Sequence, residues 1–533
     1  MNFIHFSKLK VFFISVIGVL MFVLIYSTFA NKQAYYGHSP MTDIFAWMTS
    51  NTYYSTIYKV RAYIGTNEAA ALEVFRSNNL SGSNDHTGNA IALPVLVYHT
   101  VENGSETLNL ERGAFEDQLF ALKEAGWETI TLKEFQAFMR GTITLPERSF
   151  LLTFDDGTKN SYHPVNPLLK VLGYTGVSFI LPLHSIGTES HYYLSDYEID
   201  TMLESGLWEI GSHGMDVHEY KPTDSIDTYE APLVNYLWLE DKGRVETREE
   251  YLARIDADLR DSRDALEKRF DVIVSAFAYP FGEYGRPTDS NQNAVPGAVT
   301  VAERIYETSF YQWRRGGEFS FNYQQDESRS HLYKRIEPDT LWSGKDLVQR
   351  LESGLPKTLP YNSPLRDDEG WLRNWGKVSF ADSTITLKAE DYGTGGTIFL
   401  DGSGHWDNYT VTTRLHLPTG TGFSLLVRFK DDTNVAMCNF NRDFVHIEQT
   451  LAGTQRVIEG VRGTGPYLPQ GTFEAQAITN GRTISCAING EVLVTSRFLD
   501  PSLAVGGVGI KTWSPNKGTA TVVIEEFTVE KNS

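Results

Sequence analysis

From Ile91 to about Glu352, short apolar runs alternate with amphipathic stretches, and this pattern predicts strands alternating with helices. Leu93-Pro94-Val95-Leu96-Val97, Phe150-Leu151-Leu152 and Val272-Ile273-Val274 read as strands. Phe115, Leu119 and Leu122 recur at i, i+4 and i+7 and are followed by Gly126, which predicts a helix with one buried stripe. Thr131-Leu132-Lys133-Glu134 reads as a capping box opening the next helix. An α/β domain is therefore expected over residues 91–360. The pattern changes after Pro364-Leu365. From Trp371 onward short strands and Gly-rich turns carry almost no helical periodicity, and Asn480-Gly481 and Asn489-Gly490 are hairpin signals. An all-β sandwich is expected over residues 365–533.

The N-terminal pattern is different again. Lys8 and Lys10 precede an uncharged run, residues 11–30, which matches the ~20 residues that span a bilayer. A positive flank placed first keeps the N-terminus in the cytoplasm and exports the remainder, so residues 1–30 are read as a cytoplasmic stub and membrane anchor. The competing reading is a signal peptide cleaved after Thr28-Phe29-Ala30. Residues 31–90 follow as a membrane-proximal spacer, with a helical stretch at 67–76 and a flexible hinge at Ser81-Gly82-Ser83-Asn84-Asp85. A formal net charge of −20 argues against nucleic acid as a partner. The two cysteines, Cys438 and Cys486, suit either one disulfide outside the cell or two buried thiols.

Three segments at predicted strand ends carry candidate chemistry. Thr153-Phe154-Asp155-Asp156-Gly157 places adjacent carboxylates where a strand opens into a loop, one free to bind a cation and one to take a proton. A plain Asp-Gly turn would use the same residues. Downstream, His213 and His218 lie in Ser212-His213-Gly214-Met215-Asp216-Val217-His218. That spacing suits a loop curled round an ion better than one helix face. Two imidazoles and a carboxylate form a ligand set for catalytic Zn²⁺ or a similar first-row metal. In Ala276-Phe277-Ala278-Tyr279-Pro280-Phe281-Gly282, Pro280 and Gly282 predict a tight turn that can aim the Phe281 backbone N–H at an oxyanion.

In this order, and with Leu93-Pro94-Val95-Leu96-Val97-Tyr98-His99 as a first strand, these motifs resemble the NodB-type polysaccharide deacetylases, carbohydrate esterase family four. The resemblance implies an irregular, incomplete TIM-like (β/α) barrel with its site at the C-terminal strand ends. It makes Asp156, His213 and His218 the ligands of a divalent metal, most readily zinc, Asp155 the general base, and the Phe281 N–H an oxyanion donor. Three positions depart from the family pattern. Gly214 stands where many members have Ser or Thr, and Ala278 where many have the Arg that holds the base, so Arg314 or Arg315 is expected to take that role. The Leu-x-His acid motif has no clear equivalent, which leaves His331 and His99 as acid candidates. The Tyr-His first strand and Ala-Tyr-Pro-Phe turn resemble the subgroup acting on poly-N-acetylglucosamine biofilm polymers, which implies an N-acetylated polysaccharide substrate.

Two long segments, from Glu219 to Glu246 with Tyr236 and Trp238 and from Gly285 to Ser330 with Tyr311 and Trp313, read as insertions whose aromatics line a sugar groove, or as small local cores. Trp406-Asp407-Asn408-Tyr409-Thr410-Val411 and Gly422-Phe423-Ser424-Leu425-Leu426-Val427-Arg428 resemble laminin-G or concanavalin-like jelly rolls, some of which bind glycans. The combined expectation is a metal-dependent polysaccharide N-deacetylase outside a bacterial cell membrane, single-pass anchored or secreted after cleavage. Peptidoglycan N-acetylglucosamine is the alternative substrate, and a non-catalytic glycan-binding or export-assembly protein is the reading from another class.

Overall fold

The computed structural model describes residues 88–102, 110–188, 190–226, 228–286, 297–313, 317–324, 331–389, 395–463, 466–513 and 520–532. The membrane anchor, spacer and hinge expected before residue 88, and Arg314 and Arg315, lie outside the described residues. Among the described residues, no helix is long and apolar enough to cross a membrane.

Eight parallel strands build the first domain: β1 (Val95–Tyr98), β2 (Glu128–Ile130), β3 (Ser149–Phe154), β4 (Gly176–Ile180), β5 (Trp208–Ser212), β6 (Ala276–Ala278), β7 (Thr308–Trp313) and β8 (Leu332–Ile336). Seven of them close a ring in the order β1-β3-β4-β5-β6-β7-β8, with β8 returning to β1 through Ile336↔Leu96. β2 stays outside the ring, pairing with the start of β3 (Glu128↔Ser149), while β4 pairs with its end (Phe154↔Ser178). This is the irregular TIM-like barrel that the resemblance implies. Because every strand runs the same way, all C-terminal ends open onto one rim.

Strand alternation sorts the side chains into two layers. Leu151, Val177, Phe179, Phe310 and Tyr333 fill the lumen, whereas Phe150, Leu152 and Phe154 face the surrounding helices. The expected helix is α1 (Arg112–Glu124), which buries Phe115, Leu119 and Leu122. The capping box at Thr131 and Glu134 opens α2 (Leu132–Met139). Further helices are α3 (Asn166–Leu172), α4 (Asp196–Glu204), α5 (Arg248–Phe270), α6 (Gly297–Ile305) and α7 (Gly344–Gly354).

Two expectations are corrected here. Val272-Ile273-Val274 is not a strand: α5 stops at Asp271 in the left-handed region, Ile273 is 86% exposed in the linker, and the strand is the shorter β6. The stretch from Gly285 to Ser330 is not a free insertion, since it contains α6 and β7. Tyr311 and Trp313 are therefore buried strand residues, and the Arg350 guanidinium covers the Trp313 ring at 5.0 Å. In the segment from Glu219 to Glu246, two short antiparallel ribbons enclose a local core where Tyr236 meets Tyr251 of α5 at 5.0 Å. Trp238 donates from Nε1 to Glu240.

The second domain is the expected jelly-roll-like sandwich, two antiparallel sheets of seven and eight strands around a single apolar core. It begins slightly earlier than expected, because Tyr361–Asn362 already pairs with Val529 and Thr528. Asn489 and Gly490 form the two-residue turn closed by Ile488↔Glu491, both with positive φ. The other hairpin is offset by one residue, its turn being Gly481-Arg482 inside Asn480↔Thr483. Cys438 of the seven-stranded sheet and Cys486 of the eight-stranded sheet form a disulfide across the core. The barrel docks on this sandwich through Phe319, which packs edge-on against Phe399 and Phe429. Asp401 adds polar contacts by accepting from Ser320 N and from Arg350 Nη2 at 3.1 and 3.4 Å.

Candidate active site

The three motifs meet at the C-terminal rim. β3 ends at Phe154, so Asp155 continues the lumen-facing register of Leu151 and Thr153 and is buried. Asp156 then turns sharply out of the strand at φ 70°. Its Oδ1 lies 3.4 Å from His213 Nε2 and 3.0 Å from His218 Nε2, and it is buried without a directed hydrogen bond to either ring. One ligand atom from each residue lies within 4.8 Å of the others. A buried carboxylate oxygen converging on two imidazole nitrogens fits a divalent cation such as zinc.

The surrounding structure fixes this geometry. His213 Nδ1–H donates to the Ala278 carbonyl at 2.8 Å, which turns the Nε2 lone pair toward Asp156. The loop from His213 to His218 hangs on Asp258 of α5, whose carboxylate accepts from Met215 N at 2.9 Å and Asp216 N at 2.7 Å. Gly214 is required there: at φ 90° an added Cβ would lie 2.3 Å from Val217 Cγ2. A Ser or Thr at this position is incompatible with this loop, and the Asp258 bonds supply the support expected from such a side chain. Burial raises the Asp156 carboxyl, but the His213 and His218 imidazoles outweigh it and hold the group well below the usual carboxylate range.

Asp155 is gripped from below. Arg335 of β8, 1% exposed, shares the lumen face with Tyr333 and lies over the Phe179 ring at 5.3 Å. Its Nη1 and Nη2 donate to Asp155 Oδ1 and Oδ2 at 2.5 and 2.6 Å, a bidentate fork. Burial pushes the Asp155 carboxyl up, yet the Arg335 charge and hydrogen bonds, with His213 and His99, bring it below its ordinary value. Arg335 thus fills the role expected of Arg314 or Arg315. It stands in the segment that drew attention for His331, and its alternation with Tyr333 was the available signal.

The two acid candidates separate. His331 precedes β8 at its N-terminal end, where Nδ1 lies 3.0 Å from the Glu307 carbonyl. It sits at the barrel end opposite the Asp pair, so the structure gives it no place in this site. His99, directly after β1, lies at the rim with Nε2 3.9 Å from Asp155 Oδ2 and Nδ1 3.3 Å from Glu337 Oε1. Burial lowers the His99 imidazole, but the bond to Glu337 and the charges of Asp155 and Asp156 lift it to about 9. At that value the imidazole carries its proton at neutral pH. Glu337 has no counterpart among the expected site residues. The Pro280-Phe281-Gly282 corner forms with Phe281 at φ 60°, and its ring stacks on His218 at 5.1 Å, which brings this backbone against the triad.

Residues 142–296 match the family model described as polysaccharide deacetylase, a span holding Asp155, Asp156, His213, His218 and Phe281. The chain carries a polysaccharide deacetylase domain. Poly-beta-1,6-N-acetyl-D-glucosamine N-deacetylase of Escherichia coli (strain K12) is 26% identical over 203 residues, which cover 35% of this chain and 30% of that protein. The protein of the same name from Staphylococcus aureus (strain MSSA476) is 29% identical over 177 residues, covering 33% of this chain and 54% of its own. The chain thus spans between about a third and about half of these relatives. Among solved structures, a de-N-acetylase from Aggregatibacter actinomycetemcomitans aligns with a TM-score of 0.41 and 19% identity, covering 48% of this chain and 98% of that one. His99, Arg335 and Glu337 lie outside the span matched by the family model.

Proposed function

We propose that the deacetylase domain removes N-acetyl groups from an extracellular N-acetylhexosamine polysaccharide, poly-N-acetylglucosamine or a galactosamine polymer, releasing acetate. The observation that carries this reading is the convergence of Asp156, His213 and His218 beside an arginine-held Asp155 on the open rim of the barrel. The names of the relatives support the choice of an N-acetylated sugar polymer.

Asp156, His213 and His218 would hold a divalent cation, with zinc favoured by the ligand set. When bound, such a cation acidifies water and polarises an amide carbonyl. Asp155, ionised and fixed by Arg335, accepts the proton of the attacking water. The Phe281 N–H donates to the oxygen on which charge gathers. His99, charged and steadied by Glu337, supplies the proton to the leaving sugar amine as the carbon–nitrogen bond breaks. The products are acetate and a glucosamine-type or galactosamine-type unit.

The uncharged run at residues 11–30 supports attachment to a bacterial cell membrane with this domain outside. The Cys438–Cys486 disulfide suits the oxidising exterior. The test is acetate release from poly-N-acetylglucosamine, a galactosamine polymer, chitin oligomers and peptidoglycan, comparing wild type with Asp155→Asn. Turnover of a biofilm-type polymer that falls at least a hundredfold in the variant is expected. Equal turnover by both proteins sinks the assignment of Asp155, and no release from any polymer sinks the activity.

A further inference from the structure

Of the aromatics expected to line a groove, Tyr236, Tyr311 and Trp313 are buried and Trp238 is half-buried against Glu240, but two others flank the ion triad in the open. Tyr220 follows His218 by two residues and stacks on Phe281 at 4.6 Å and 17° between planes. Phe281 in turn stacks on His218 at 5.1 Å and 21°. The result is a three-ring pile that starts at a metal-facing imidazole and ends at a phenol 55% exposed to solvent.

A second platform stands beside the Asp156 turn. Thr158 bridges to Tyr193, and Lys159 N donates to the Tyr192 carbonyl at 2.8 Å, so the Tyr192-Tyr193 segment runs alongside Gly157 and Thr158. Tyr193 lies flat on His184 at 4.6 Å, and Tyr192 meets Tyr193 edge-on at 4.9 Å. The Tyr192 ring is 51% exposed, and its phenol meets the Thr100 side chain, next to His99. Thr158 stands two residues after Asp156, so its bridge to Tyr193 brings the pair beside the triad.

Large aromatic surfaces held rigid and yet left exposed beside a catalytic cleft are surfaces for a flat, amphipathic ligand. Pyranose rings have that character, with apolar C–H faces and polar edges. We propose that Tyr220 and Tyr192 are stacking subsites for the hexosamine units on either side of the unit being deacetylated, so that the site recognises an internal stretch of polymer in preference to a single sugar. This inference rests on the deacetylase reading above for the class of ligand.

The experiment compares N-acetylglucosamine and its β-1,6-linked hexasaccharide with zinc-loaded wild type, Tyr220→Ala, Tyr220→Phe and Tyr192→Ala. It reads KM and kcat by acetate release, and hexasaccharide affinity by calorimetry. Each Ala variant is expected to raise KM and Kd for the hexasaccharide about tenfold, the factor expected for roughly one lost ring contact. The KM for the single sugar, which has no flanking unit, and both kcat values should stay unchanged, and Tyr220→Phe should behave as wild type. Zinc affinity measured in parallel should be the same for all four proteins. A fall in zinc affinity for Tyr220→Ala would mean that the pile only props His218, and would overturn the proposal. So would equal losses on both substrates, no loss on either, or no hexasaccharide binding by wild type. Tyrosine-dependent hexasaccharide binding without any acetate release would leave the platform standing and bring down the deacetylase reading alone.

Discussion

Arg335→Met is the most telling single change in the barrel. Arg335 is 1% exposed, and both of its terminal nitrogens are spent on Asp155, itself buried. Methionine keeps much of the packing over the Phe179 ring but leaves a carboxylate in the lumen with its main counter-charge gone. Breaking a buried ion pair from one side costs about 3–5 kcal/mol. At about 2–4 °C per kcal/mol for a domain of this size, the barrel's unfolding midpoint should fall by roughly 6–20 °C. Turnover should fall as well, by about a hundredfold, because the carboxylate loses the fork that sets its direction toward the triad. The assays are calorimetric unfolding and acetate release at one pH, with Arg335→Lys alongside. Lysine restores charge without the bidentate geometry, so it should recover part of the stability and little of the turnover. In an Asp155→Asn background the Arg335→Met cost should differ from its cost in wild type by more than about 1 kcal/mol, since the two residues form one unit. A midpoint within about 4 °C of wild type together with unchanged turnover would refute the claim that Arg335 holds the base.

Two further outcomes follow from the structure. Gly214→Ser should weaken zinc binding by about 10–100-fold in a competitive titration, because the new side chain meets Val217 and shifts the loop that presents His218; unchanged affinity would show that the loop accommodates a side chain. Glu198 is bound by Lys159, His163 and the Ser195 cap; burial raises its carboxyl, but these partners, His163 foremost, bring it far below its ordinary 4.5. A depressed carboxylate contributes stability that is present above its unfolded value and lost as pH falls toward the folded one. Glu198→Gln should therefore cost about 1.5–3 kcal/mol at pH 7 in denaturant unfolding, and the gap to wild type should narrow below about pH 4.5; a gap independent of pH would contradict the assignment.

Legibility in the sequence followed the distance over which each feature is made. The Asp155-Asp156 pair and the His213/His218 loop are local, so residue type and spacing were enough to propose them as a set. Arg335 reaches Asp155 across a sequence separation of 180 residues. Only closure of the ring through β8 and β1 brings the two together, and no local pattern records that closure. Apolar runs were misleading where they lay at an element's edge. Val272-Ile273-Val274 looks like a strand, but Asp271 ends α5 immediately before it and leaves Ile273 in solvent. Tyr311 and Trp313 read as loop aromatics when Gly285 to Ser330 is seen as one segment, but they lie on β7 and cover its helix-facing side. Gly214 stands out in the sequence only as a departure from the family's Ser or Thr, whereas its positive φ and the nearness of Val217 make it a requirement of the loop.

The central claim is that Asp156, His213 and His218 hold one divalent cation on which deacetylation depends. The most direct measurement strips the protein with a chelator and follows acetate release from poly-N-acetylglucosamine as zinc is returned. Activity should be absent at the start, rise in proportion to added zinc and level off at about one equivalent, and His218→Ala should require far more metal. Full turnover by the stripped protein, or a titration that His218→Ala leaves unmoved, would contradict the account.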